Sequence, residues 1–117
     1  MTYTIEVLLR GETAVSTETA MLTGNAPAAW TAADAAAVVR SMLLALDRAQ
    51  NPDRVEEPAV TLRGFNWVVT PHEEGVAIAL ETHSAAVVAG PFEIPHAQLE
   101  QLLTRAISLE QPGPTVH

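Results

Sequence analysis

Between Thr31 and Pro52 the chain carries its strongest constraint. Ala35, Val38, Val39, Met42, Leu43, Leu46 and Ala49 recur at the three- and four-residue spacing of one helical face, with Arg40, Asp47 and Arg48 opposite. Thr31 stands where a capping hydroxyl accepts from the amide of Asp34, and the Asp34 carboxylate suits the positive end of the helix dipole. Asn51-Pro52 ends the pattern, because proline lacks an amide hydrogen and restricts the residue before it. The spacing predicts a helix over residues 32–49 with one face that must be buried elsewhere in the chain. Leu44 falls on its polar side.

Strand patterns flank this helix. Tyr3, Ile5, Val7 and Leu9 alternate with Thr4, Glu6 and Arg10, and Gly11 offers a turn. The threonine-rich run 13–22 reads as a weaker second strand at an edge, where polar residues on both faces are tolerated. A third strand is expected over 59–70, but its parity changes midway. Val60 and Leu62 share one face, while Phe65, Trp67 and Val69 share the other. Gly64 sits at the changeover, and a bulge there would return all five side chains to one face.

Pro71 to Gly75 closes a second hairpin, after which Val76, Ile78, Leu80 and Thr82 alternate with Ala77, Ala79, Glu81 and His83. The run 85–89 extends this fourth strand or forms a short fifth one. Pro95 suits the first turn of a second helix over 95–109, with Leu99, Leu102, Leu103, Ala106 and Ile107 on its apolar face.

The order strand, strand, helix, strand, strand, helix predicts an α+β fold: a two-layer ββαββα sandwich with a four- to five-stranded antiparallel sheet and both helices on one face. Gly24 with Pro27 and Gly90 with Pro91 stand in corresponding places, which gives the two ββα halves the look of a loose repeat. A chain of 117 residues, 48% of them apolar, has material for one core and one domain, expected over 1–110 with a frayed tail at 111–117.

Helices on one face leave the other sheet face open. By parity that face should carry Thr4, Glu6, Leu8, Arg10, Thr61, Arg63, Ala77, Ala79, Glu81 and His83, a mixed surface suited to association. Without a bulge at Gly64, Phe65 and Trp67 would join it and make it distinctly apolar. Leu8, Leu44, Phe65 and Trp67 are therefore the candidate interface residues.

Charge and composition exclude several functions. The net charge is −8, all six basic residues are arginine, and neither lysine nor cysteine occurs. Thiolate nucleophiles, disulfides, cysteine metal sites, Schiff-base lysines and P-loop lysines are thereby ruled out. Arginines dispersed through an acidic chain form no stripe for a phosphate backbone, so no nucleic acid is expected as partner. The N-terminus has no positive run before an apolar stretch, and 35–46 is interrupted by Arg40 and Ser41. The expectation is a cytoplasmic protein with no membrane partner. Abundant alanine without lysine points to a GC-rich bacterial genome.

Catalytic signals are sparse. Glu81 and His83 share a strand parity, and a carboxylate beside an imidazole raises its basicity. With Arg63 they make the best catalytic set, although solvated strand residues would produce the same pattern. His72, Glu73 and Glu74 occupy a hairpin tip, and their spacing to His83 and His96 matches no zinc signature. Ser84 follows His83 directly, so in a strand the two point to opposite faces. No glycine lies in a phosphate-binding run, and Trp30 and Phe92 read as core. No cofactor and no metal are expected.

The expectation is a non-enzymatic acidic module acting through protein contacts, as a homo-oligomer or an accessory subunit of a bacterial assembly. One alternative is a small-ligand binder or hydrolase-like enzyme using Glu81, His83 and Arg63. Another is an inhibitor or antitoxin-type protein docking on a basic partner.

Overall fold

The computed structural model describes residues 2–22, 24, 26–53, 55, 62 and 65–110 of the chain, with backbone alone at 109 and 110. Thr31 caps α1 (Ala32–Gln50): its hydroxyl accepts from the Asp34 amide at 3.3 Å, and the Asp34 carboxylate accepts from the Thr31 amide at 2.9 Å. This reciprocal capping box fixes the helix start, and Asn51 closes the other end by donating its amide to the Asp47 carbonyl. The predicted apolar stripe is the buried one: Ala35, Val38, Val39, Met42 and Leu46 are all inaccessible or nearly so.

Among the described residues, five strands form one antiparallel sheet. They are β1 (Thr2–Leu9), β2 (Val15–Met21), β3 (Asn66–His72), β4 (Gly75–Glu81) and β5 (Ala85–Phe92), in the spatial order β2-β1-β5-β4-β3. The second helix, α2 (His96–Glu110), packs against α1 and β3, while α1 covers β1 and β5. Both helices lie on one sheet face, so the two-layer α+β architecture read from the sequence is the one observed. No helix among the described residues is long and apolar enough to cross a membrane.

The run 85–89 belongs to β5, a separate strand paired with β1 on one side and β4 on the other. It takes the centre of the sheet, and the second half of the chain is βββα rather than ββα. The resemblance between the halves therefore extends only to the two outer hairpins, β1-β2 and β3-β4. β2 is at an edge, as its threonine content implied, and Arg48 on α1 ties it down through a two-pronged ion pair with Glu18 at 2.6 and 3.0 Å. Between β4 and β5 the chain bends, held by the Thr82 hydroxyl, which accepts from the amides of Ser84 and Ala85 at 3.2 and 3.1 Å.

The core lies between the sheet and the helix pair. Tyr3, Ile5 and Val7 of β1, Ile78 and Leu80 of β4, and Val87 and Ala89 of β5 meet Val38, Val39 and Met42 of α1 and Leu99 and Leu103 of α2. Phe92 is fully buried, with its ring centroid 5.0 Å from Trp30 and 5.3 Å from Tyr3. Burying each such side chain contributes about 1.5–3 kcal/mol. Among the described residues, the Tyr3 hydroxyl and Trp30 Nε1 enter this aromatic cluster with no hydrogen bond of good geometry.

Trp67 and Phe65 do not lie on the open face. Trp67 pairs with Leu80 across β3 and β4, and the alternation through Leu80 and Val69 turns its side chain toward the helices, where it is half-buried against the core beside Phe65. Thr61, Arg63 and Gly64, and with them the question of a bulge, lie outside the described residues, as does the tail 111–117.

Candidate functional site

Antiparallel pairing sets the residues of the open face into levels across the sheet. At one level stand Val15, Leu8, Ala86, Glu81 and Asn66, on β2, β1, β5, β4 and β3 in turn. Two residues along, the next level holds Thr17, Glu6, Val88, Ala79 and Val68. The apolar members form a diagonal stripe: Val15, Leu8 and Ala86 occupy one half, and Val88, Ala79 and Val68 the other. Glu6 and Glu81 flank the stripe on opposite sides. A third level, Thr19, Thr4 and Gly90 with the Thr70–Ala77 pair, is small and uncharged.

This stripe is exposed. Leu8 is 43% accessible, Val15 48%, Val68 50% and Val88 41%. Of the six large hydrophobic side chains exposed among the described residues, five are on this face, these four and Met21; only Val55 is elsewhere. Exposed apolar residues scattered singly over a protein are ordinary, but a contiguous set on one face is characteristic of contact surfaces.

At one end the stripe meets a shallow depression of about 230 Å³ lined by Leu8, Arg10, Glu12, Glu81, Thr82 and Ala86, among others. The Arg10 amide donates to the Ser84 carbonyl at 2.8 Å, which carries the β1–β5 ladder one residue past β1 and keeps Arg10 in the alternation of Glu6 and Leu8. Its guanidinium has no hydrogen bond or ion pair among the described residues, and neither does either flanking carboxylate. Pockets that enclose small ligands hold roughly 300–1,000 Å³ and surround most of the ligand surface, so this open depression does not resemble one.

The sequence-predicted catalytic set does not assemble among the described residues. Glu81 is the last residue of β4 and lies on the open face, but His83 follows it in the bend rather than on a strand, exposed and with no bond to Glu81. The alternation that suggested a shared face ends at Glu81, because Thr82 bonds back to its own turn. Ser84 is engaged by Gln50 at 2.9 Å. Arg63 lies outside the described residues.

Among the described residues no three acidic or histidine side chains gather to hold a metal. His72 is exposed at the end of β3, and the His96 ring is held by the Val69 carbonyl at 2.7 Å and Glu100 at 3.2 Å. A second open depression beside Trp67, lined also by Ala97, Glu100, Gln101, Thr104 and Arg105, gathers both charges without burying either.

Of the predicted interface residues, only Leu8 lies on the open face. Leu44 is half-buried on α1, on the other side of the molecule. Sequence reasoning missed Val15, Val68 and Val88 as members of one surface. Their parity was legible, but their adjacency depends on β5 lying between β1 and β4.

No protein-family model matches the chain, and no curated protein or solved structure is similar to it at a significant level.

Proposed function

We propose that this chain is a non-enzymatic module that acts through protein contacts, with the open sheet face as its contact surface. The observation that supports this reading is the concentration of exposed large hydrophobics on that face, five of six among the described residues. Solvating such a face costs free energy in proportion to its apolar area, and covering it with another protein recovers that cost. Alanine at positions 79 and 86 lets a partner backbone come close, and the flanking carboxylates supply orientation rather than bulk affinity. The homo-oligomer and the accessory subunit are two forms of this proposal.

Light scattering and sedimentation at micromolar concentration test it, together with Leu8→Glu and Val88→Glu. A folded protein whose association is lost in both variants supports the contact surface. A strict monomer with no copurifying partner, indifferent to both substitutions, overturns it.

A further inference from the structure

Resting on the reading of the open face as a contact surface, we propose that its occupant is a second copy of this chain, packed face to face about a two-fold axis running along the apolar stripe. Such an axis brings Leu8 near the partner's Leu8 and Val68 near the partner's Val68. Glu6 on β1 and Arg10, one residue past its end, lie two residues from Leu8 in opposite directions, so they fall on opposite sides of the axis. The rotation therefore sets each Glu6 against the partner's Arg10, twice over. Facing sheets are about 10 Å apart, a gap that a glutamate and an arginine together can bridge. Within one copy Glu6 and Arg10 are roughly 13 Å apart along the strand, four residues at about 3.3 Å each, too far to pair.

Orientation and area agree with this arrangement. The stripe descends two residues, about 7 Å, while crossing four strand spacings of about 4.8 Å, which inclines it about 20° from the perpendicular to the strands. Rotation about it makes the strands of the two sheets cross by about 40°, in magnitude close to the roughly 30° of aligned sheet packing. Five strands of seven or eight residues present a face of roughly 600 Å², so two copies would bury about 1,200 Å², at the lower limit of specific interfaces. A weak, concentration-dependent dimer is the expected product. Glu81 lands over the partner's Val88 and the partner's Ala79, and holding its carboxylate there costs part of the affinity.

The test is sedimentation across the micromolar range on the full chain and on Arg10→Glu, Glu6→Arg and the double variant. Each single change sets like charges against each other at two places and should weaken the dimer tenfold or more, about tenfold being the scale of one lost charge pair. The double swap should restore it, which a merely structural role for either residue does not predict. Because the chain has no cysteine, Leu8→Cys and Thr104→Cys give single-site probes. A short bis-maleimide should join two copies of the Leu8→Cys variant through their introduced thiols. It should leave the Thr104→Cys variant, whose thiol sits on the helix layer, unjoined.

A dimer indifferent to the charge variants and joined through the thiol of Thr104→Cys overturns both this proposal and the contact-surface reading. A monomer throughout the range overturns the second copy as occupant. Thiol labelling of the Leu8→Cys variant in native extract then separates the two ideas: protection keeps the contact-surface reading, and free labelling removes it as well.

Discussion

Gly75, at the start of β4, lies directly against the main chain of Phe92 at the end of β5, so that a β-carbon at position 75 would run into the Phe92 carbonyl. Its φ of +143° is also a conformation that side chains other than glycine rarely adopt. The approach seats the Phe92 backbone while the Phe92 ring fills the space between Trp30 and Tyr3.

Gly75→Ala is expected to lower folding stability by about 2–4 kcal/mol, since backbone, not a movable side chain, blocks the new methyl group. Urea denaturation followed by tryptophan fluorescence measures the change. A midpoint equal to wild type would show that the β4–β5 approach is looser than the geometry implies.

Tyr3→Phe should leave folding stability unchanged or raise it by up to about 1 kcal/mol, because among the described residues the buried hydroxyl makes no hydrogen bond of good geometry and its removal relieves a desolvation cost. Burial also pushes the Tyr3 hydroxyl above its ordinary pKa of 10.0, with its interaction with the Ser41 hydroxyl pulling the other way. The folded state then holds this proton more tightly than the unfolded state. The contribution is complete below pH 10 and is lost as pH rises through the raised folded value. Stability measured from pH 9 to 11 should fall more steeply in wild type than in Tyr3→Phe; parallel curves would contradict the assignment.

Thr31→Ala removes the hydroxyl half of the capping box and should cost about 1 kcal/mol. Asp34→Ala should cost a similar amount, and the double variant less than the sum, because the two residues cap each other. Thermal melts monitored by circular dichroism would show additivity instead if the two acted independently.

Leu8→Thr and Val88→Thr keep strand-compatible side chains on the open face and should change folding stability by less than about 1 kcal/mol. Their effect belongs in association, read as reduced scattering at high concentration. A large loss of stability in the dilute protein would mean that the stripe supports the fold of one copy rather than a contact between copies.

The parts legible in the sequence are those that local chemistry decides. The start and end of α1 follow from Thr31, Asp34 and Asn51-Pro52, whose effects reach no further than one helical turn. The outward direction of Leu8 and Glu6 follows from strand alternation, which is a matter of neighbouring residues. His83 shows where this reasoning fails. Alternation continued through it on paper, but the Thr82 hydroxyl captured the amides of Ser84 and Ala85 and ended the strand at Glu81. No periodicity contains that competition.

The sequence by itself determined the layers, the helix boundaries and the existence of an open face, because sterics, capping and 3.6- or 2-residue periodicity act over a few residues. Tertiary structure alone decided that β5 occupies the centre, that Trp67 turns inward, and that Val15, Leu8, Val88 and Val68 line up across strands distant in sequence. Strand order is set by which apolar faces bury best together under the two helices, a global competition among pairings of similar local quality. The stripe, and any partner it binds, follows from that competition.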